Sequence, residues 1–253
     1  GSATPCVESY YNAKTGKYAL VEMHTRFAGI ALPKIQTIDI RKAHLKKQMK
    51  QQFAPKMLST ITETLEAGKQ VILFQNRRGY SPVLSCGTCA YTPNCNACDV
   101  SLTYHKWNNQ LKCHYCGYTE QVPEFCPSCS AKDFSDKGFG TEQIEESLKE
   151  LLPTYVTKRM DYDTTRGKNA HQQIITDFEQ GRIDILVGTQ MVTKGLDFDN
   201  VALVGILNAD SMLHFPDFRA YERAFQLMMQ VAGRAGRKGQ QGQVLVQTYD
   251  EEH

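Results

Sequence analysis

Eight of the nine cysteines fall between Cys86 and Cys129, in four C-x-x-C pairs: Cys86/Cys89, Cys95/Cys98, Cys113/Cys116 and Cys126/Cys129. Two thiolates three residues apart can wrap a tight turn around one ion, and two such turns complete a tetrahedral zinc site. Four turns therefore supply two Cys₄ sites. With every ligand a thiolate, no coordination position is left for water, which describes structural rather than catalytic zinc. Disulfides would need an oxidising compartment, and no stretch reads as a signal peptide. A redox C-x-x-C usually occurs once, beside a βαβ unit. An iron–sulfur cluster also draws on four thiolates and stays open as the alternative. His105 and His114 are expected to be surface histidines, since the thiolates already fill both sites.

Cys98 and Cys113 are separated by 14 residues, close to zinc-ribbon spacing, so the inner pairs Cys95/Cys98 and Cys113/Cys116 are expected to share one site. The outer pairs, Cys86/Cys89 and Cys126/Cys129, then close the other. This nesting brings both ends of the segment together, so the module can sit inside another domain. Few apolar side chains lie between the cysteines, so metal binding should supply the folding energy of this module.

A second set of residues is suited to phosphate. Gln230-Val231-Ala232-Gly233-Arg234-Ala235-Gly236-Arg237 closes an apolar, helix-patterned stretch with two arginines three apart. A guanidinium pairs with phosphate oxygens two bonds at a time and can stabilise charge on a transferring γ-phosphoryl group. Basic residues also favour helix C-termini for electrostatic reasons alone. Upstream, Val187-Gly188-Thr189-Gln190-Met191-Val192-Thr193-Lys194-Gly195-Leu196-Asp197-Phe198 carries a strand into a polar loop. In an open parallel sheet, ligands bind beyond the carboxyl ends of the strands. Thr189 and Thr193 could donate to phosphates there, and Asp197 could accept from a ribose hydroxyl. An ordinary capped βα loop is the plain alternative for one motif, and less so for two on consecutive βα units.

The elements that must position these residues alternate. Met57, Leu58, Ile61 and Leu65 recur at helical spacing and Gly68 is a stop; Val71–Phe74 is a buried strand. After the cysteines, a helix is expected from about Thr141 to Leu152, a strand over Tyr155–Met160, a helix over Ala170–Phe178 and a strand over Ile183–Val187. A strand over Val201–Leu207, a helix over Ala220–Ala232 and a strand over Val244–Gln247 complete the series. Tyr18–Met23 is apolar enough for a further strand, and Cys6 reads as a buried small hydrophobe. Arg41, Lys42, Lys46, Lys47 and Lys50 form a cationic run, read first as a solvated helix face and otherwise as a phosphate-tracking patch. Alternating strands and helices predict an α/β fold, a parallel sheet with helices on both faces, interrupted after its first strand by the cysteine-rich insert.

The chain has 253 residues, 41% hydrophobic and 22% charged, as expected of a globular protein with a sizeable core. No apolar run approaches a membrane span. The formal charge is +2; eight thiolates subtract eight charges and two zinc ions restore four, leaving about −2. Net charge alone therefore gives no argument for nucleic acid, which must rest on motifs and local patches.

The two phosphate-suited segments resemble motifs V and VI of superfamily 2 helicases. Three further stretches resemble the primosomal replication-restart DNA helicases within that superfamily: Asn76-Arg77-Arg78-Gly79-Tyr80 running into the eight cysteines, Gly138-Phe139-Gly140-Thr141-Glu142, and Asp217-Phe218-Arg219-Ala220 with Glu222-Arg223. Gly1-Ser2-Ala3-Thr4-Pro5 is similar to motif III at the end of the first helicase lobe. The resemblance covers nearly the whole chain. It implies a RecA-like second lobe over 36–85 and 136–253, a zinc-binding subdomain over 86–135, and a lead-in from the first lobe over 1–35.

It further implies a 3′→5′ DNA helicase that restarts replication at stalled forks, with ATP and Mg²⁺ held between two lobes. Arg234 and Arg237 then face the nucleotide phosphates, and Gln230, Gly195 and Asp197 contact the nucleotide. Thr141 and Thr189 meet the DNA backbone, with Arg77 and Arg78 as further DNA or interlobe contacts. The implied partners are forked or single-stranded DNA, primosome proteins and single-stranded DNA-binding protein, for a monomer in the bacterial cytoplasm, at the nucleoid, with no membrane. No G-x-x-x-x-G-K-[ST] occurs in the sequence, and Asp250-Glu251-Glu252-His253 follows motif VI, whereas a Mg²⁺-binding D-E-x-H box belongs to the first lobe. The chain is accordingly expected to be a piece holding half of an ATP site, inactive alone as an ATPase. The competing reading is a zinc-ribbon module for nucleic acid or protein on an inert α/β scaffold. The knuckle aromatics Tyr91, Tyr104, Trp107, Tyr115, Tyr118 and Phe125 suit either, by stacking on bases or packing a zinc core.

Overall fold

Gln70–Phe74 and Ile185–Gly188 are buried at every position. Strands with no polar face belong inside a sheet covered on both sides. The computed structural model describes residues 2–24, 31–76, 83–89, 91–105, 108–135, 140–167, 169–193, 198–236 and 241–252. In chain order its elements are α1 (Val7–Lys14), β1 (Lys34–Asp39), α2 (Ile40–Leu45), α3 (Pro55–Glu66), β2 (Gln70–Phe74), β3 (Ser85–Cys86), β4 (Thr103–His105), β5 (Gln110–Lys112), β6 (Thr119–Gln121) and β7 (Phe134–Ser135). Then follow α4 (Thr141–Leu151), β8 (Thr157–Met160), α5 (Ala170–Glu179), β9 (Ile185–Gly188), β10 (Val201–Ile206), α6 (Asp210–Leu213), α7 (Ala220–Ala232) and β11 (Gln243–Thr248).

Six strands make one parallel sheet in the order β1-β11-β10-β2-β9-β8. Alternate residues of its central strands feed two cores. Ile72, Phe74, Leu186 and Val204 face Ile174 and Phe178 of α5 and Val231 of α7. Val71, Leu73, Ile185 and Leu203 face Met57 and Ile61 of α3 and Ile144 and Leu148 of α4. The α/β fold with a parallel sheet covered on both faces is therefore as the sequence predicts, with strand and helix ends shifted by a residue or two. Gly68 ends α3 with φ +68°, a conformation that favours glycine.

The cysteine-rich segment hangs from a stem. β3 and β7 pair antiparallel, with Cys86 opposite Phe134, and the Gly87 N–H donates to the Asp133 carbonyl at 2.6 Å. β4, β5 and β6 form a separate antiparallel sheet over a small core of Leu84, Val100, Leu102 and Leu111.

Four expectations need correction. Tyr18–Met23 is not a strand: it pairs with no strand among the described residues, and Val21 and Met23 are 84% and 88% exposed. The edge strand β1 begins at Lys34, inside the stretch read as lead-in. Its first four residues are exposed, and it is set by pairing with β11 rather than by its own apolar pattern. Cys6 is only half-buried, and its thiol meets the Ser9 hydroxyl at 3.0 Å. The cationic run is helical only over α2. There Arg41 donates to the Tyr249 carbonyl at 2.8 Å and Lys42 pairs with Asp39 at 3.0 Å.

One polar side chain joins three elements from within the core. Gln247 is fully buried; its Oε1 accepts the Ala54 N–H at the start of α3 (2.8 Å), and its Nε2 donates to the carbonyls of Gln52 and Leu207 (3.0 Å each). A buried donor or acceptor left unpaired costs about 1–3 kcal/mol. Gln247→Leu, which orphans three such groups, is expected to cost about 3 kcal/mol or more in chemical denaturation of the chain.

Candidate functional site

The eight thiols gather into two clusters, Cys86/Cys89/Cys126/Cys129 and Cys95/Cys98/Cys113/Cys116, each with its four Sγ atoms within 4.8 Å of one another. These are the nested pairings that the spacing predicts. Sγ separations are 3.6 Å for Cys86–Cys129, 3.5 Å for Cys89–Cys126 and 3.6 Å for Cys95–Cys116. Disulfides, at about 2 Å, are ruled out. A tetrahedron with Zn–S bonds of about 2.3 Å has edges of about 3.8 Å, so the spacing fits a zinc ion in each cluster.

The turns are built alike. The residue after the second cysteine is left-handed in three knuckles: Asp99 (φ 47°), Gly117 (φ 79°) and Ser130 (φ 61°). Within the turns, backbone N–H groups point at sulfur, those of Ala97 and Cys98 toward Cys95 and those of Cys116 and Tyr115 toward Cys113. Burial alone would raise the Cys113 thiol, but those N–H groups outweigh it and bring Cys113 to about 7. Its neighbour Cys98 is pushed up to about 12, first by the Cys116 thiol and then by burial. Four thiolates this close repel one another, and a dication lets all of them ionise together.

His105 departs from expectation: it is half-buried, and its Nε2 has no hydrogen-bond partner among the described residues. Its ring lies 5.3 Å from that of His114, and neither belongs to a thiol cluster. Of the knuckle aromatics, Tyr91 and Tyr104 are half-buried, while Tyr115, Tyr118 and Phe125 are exposed; Trp107 lies outside the described residues. Tyr115 reaches the lobe: its ring meets Phe218 edge-on at 6.2 Å, and its hydroxyl accepts the Phe218 N–H at 3.4 Å.

The phosphate-suited segments meet through their apolar neighbours. Val192 and Phe198 share one buried core with Val231, Ala232 and Ala235, so the loop after β9 and the end of α7 are packed together. Thr189 lies at the carboxyl end of β9, half-buried, with its N–H 3.4 Å from the Met160 carbonyl. Gln190 Nε2 donates to Asn76 Oδ1 at 3.3 Å, joining the loop after β9 to the one after β2. Gln230 is exposed in the last turn of α7, and Arg234 is half-buried just beyond the helix. The Gly236 N–H donates to the Val201 carbonyl at 3.0 Å, at the amino end of β10. Arg234 thus sits at the opposite end of the sheet from Thr189, because α7 runs back along the strands; among the described residues, the expectation that ligand contacts cluster at carboxyl ends fits Thr189 and Thr141 at the start of α4, and not Arg234. Arg77, Arg78, Gly195, Asp197, Arg237 and the Thr193 side chain lie outside the described residues.

Thr141 opens α4, but its side chain is buried and its hydroxyl donates to Asp161 Oδ2 at 2.6 Å. Burial would raise the Asp161 carboxyl; the Thr141 hydroxyl, the Thr164 N–H and the Arg159 charge outweigh it and hold it below the usual range. Sequence reasoning missed this loop, although Asp161-x-x-Thr164 spells a self-bonded turn: the Thr164 N–H donates to Asp161 Oδ1 and the Asp161 N–H to the Thr164 hydroxyl, both at 3.0 Å. It also missed the docking of α1 on the start of α7, where the Val7 N–H donates to Glu222 Oε1 at 2.9 Å and Arg219 pairs with Glu8.

Gly242 packs against the turn that carries Arg234. A Cβ there would fall 2.2 Å from the Ala235 carbonyl carbon and 2.3 Å from the Gly236 nitrogen. Gly242→Ala must move backbone, so it is expected to lower the chain's melting temperature by several degrees while leaving its metal content unchanged. Thermal unfolding alongside elemental analysis checks both.

Two family profiles match. The PriA DNA helicase Cys-rich region (CRR) domain matches residues 95–121, and the helicase conserved C-terminal domain matches residues 109–239, just over half of the chain. The replication restart protein PriA of Bacillus subtilis is 46% identical over 100% of this chain and 31% of its own length. Those of Chlamydia pneumoniae and Treponema pallidum are 44% and 45% identical, over 100% of this chain and 34% and 37% of theirs. The chain thus spans about a third of the length of the curated relatives it matches. It belongs to the helicase conserved C-terminal domain family, and corresponds to the part of the replication restart proteins PriA that joins that domain to its cysteine-rich ribbon.

Proposed function

We propose that this chain is the second lobe of an ATP-dependent 3′→5′ DNA helicase that binds forked DNA and restarts replication by primosome assembly. The observation that carries the reading is the shared core of Val192 and Phe198 with Val231, Ala232 and Ala235. It fixes the two segments flanking Thr193–Asp197 and Arg234 against each other, as a two-segment nucleotide contact requires. The whole-chain similarity to replication restart proteins supports the process.

In this reading the lobe supplies the arginine half of the ATP site. Phosphoryl transfer depends on positioning and on charge placed around the γ-phosphate. Arg234 and Arg237 provide fixed positive charge there, with Gln230, Gly195 and Asp197 holding the nucleotide. The phosphate cradle and the Mg²⁺ ligands come from the first lobe, to which residues 1–33 lead. Thr189, Arg77 and Arg78 meet the DNA backbone. At α4 the backbone N–H groups serve in place of the Thr141 hydroxyl, which is bonded to Asp161. Residues 86–135 form a ribbon folded around two structural zinc ions and displayed to forked or single-stranded DNA, to primosome proteins or to single-stranded DNA-binding protein. The protein acts as a monomer in the bacterial cytoplasm. Among the described residues, no helix is long and apolar enough to cross a membrane.

In the full-length protein, Arg234→Ala and Arg237→Ala are each expected to cut DNA-stimulated ATP hydrolysis by about 10³-fold, the scale of an arginine finger, with DNA affinity within about threefold of the parent. The 253-residue chain alone should show no DNA-stimulated hydrolysis; turnover above background would overturn the half-site reading. Elemental analysis should find two zinc ions per chain, falling to one in Cys95→Ser and in Cys126→Ser. Iron, or less than one zinc in the parent, would sink the two-site assignment.

A further inference from the structure

The loop after β8 holds an aromatic side chain out into solvent from a firmly bonded base. Asp161 and Thr164 exchange two bonds of 3.0 Å, the Thr165 hydroxyl donates to the Asp161 carbonyl at 2.6 Å, and the Thr141 hydroxyl fastens the Asp161 carboxylate to the start of α4. Tyr162, between them, is 73% exposed. The Arg166 guanidinium lies 4.8 Å from the centre of its ring, and Arg166 is itself held by Asp163 at 2.9 Å. An exposed ring on a mobile side chain loses entropy when it binds; a ring whose backbone is already fixed loses less.

The position is as informative as the exposure. Asp161 directly follows β8, whose last carbonyl, that of Met160, lies 3.4 Å from the Thr189 N–H. The Thr165 hydroxyl also reaches Met191 Sδ at 3.6 Å, in the turn that follows Thr189. The aromatic ring, the Thr189 turn and the start of α4 therefore share the carboxyl end of β8 and β9. We infer that Tyr162, with Arg166 over its ring, is a stacking platform for one unpaired base of the strand whose backbone passes Thr189 and the start of α4. A base offers a π-face whatever its identity, so such a contact is strong without being sequence-specific. The inference rests on the helicase reading above and adds to it a base contact where that reading has backbone contacts alone.

The test uses the full-length protein and fluorescence anisotropy with labelled oligothymidylate, beside a blunt duplex of equal length. Tyr162→Ala is expected to weaken oligothymidylate binding about tenfold and duplex binding by less than twofold, while Tyr162→Phe keeps the parent affinity. Tyr162→Ala should leave the slope of log affinity against log salt unchanged, since a stacking contact neutralises no phosphate. Thermal unfolding of Tyr162→Ala should match the parent, since the ring is mostly outside the fold. Unchanged oligothymidylate affinity in Tyr162→Ala, or equal losses on both DNAs, overturns the platform and leaves the helicase reading standing. A parent protein that binds neither single-stranded nor forked DNA overturns both.

Discussion

The constraint on which the rest depends is that the central strands have no polar side. β2 and β9 are buried along their whole length, and their alternate residues belong to two different cores. Such a sheet offers no face to a ligand. Any chemistry is pushed to the strand ends, to the connecting loops and to the ends of the covering helices. Thr189, Arg234 and the Tyr162 loop all lie at those places, and none lies on the sheet itself.

The ribbon solves the opposite problem. Between β3 and β7 there is apolar material for only a small core, built around Leu102 and Leu111. Hydrophobic burial on that scale cannot offset the entropy of ordering the segment, and the two thiol clusters make up the difference once a dication relieves their mutual repulsion. One chain therefore contains two economies of stability, one apolar and continuous, the other electrostatic and local. They touch through the stem and through Tyr115 against Phe218.

What was legible in the sequence follows the same division. Period and punctuation located the buried elements, because a strand such as Val71–Phe74 announces itself by having no polar residue and a helix such as α7 by its apolar spacing. The thiol pairing was legible because C-x-x-C spacing is a geometric statement in its own right. The edge strand β1 was hidden, since its register comes from β11 and four of its six residues stay exposed. The bond that holds the Thr141 hydroxyl was hidden for a related reason. Its partner Asp161 is 20 residues away, and no local pattern shows that the two meet. Nor did the sequence show that α7 carries Arg234 to the far end of the sheet, a fact of helix direction rather than of composition.

The two-strand stem has a topological consequence. Among the described residues, the segment between Cys86 and Phe134 is joined to the sheet domain by one antiparallel pair and by Tyr115 against Phe218, so the domain senses chiefly that the two ends meet. Loop-closure entropy grows slowly with length, by about 0.6 kcal/mol for each doubling. The ribbon can therefore lengthen, shrink or be exchanged for a short hairpin without a change of register in any of the six sheet strands.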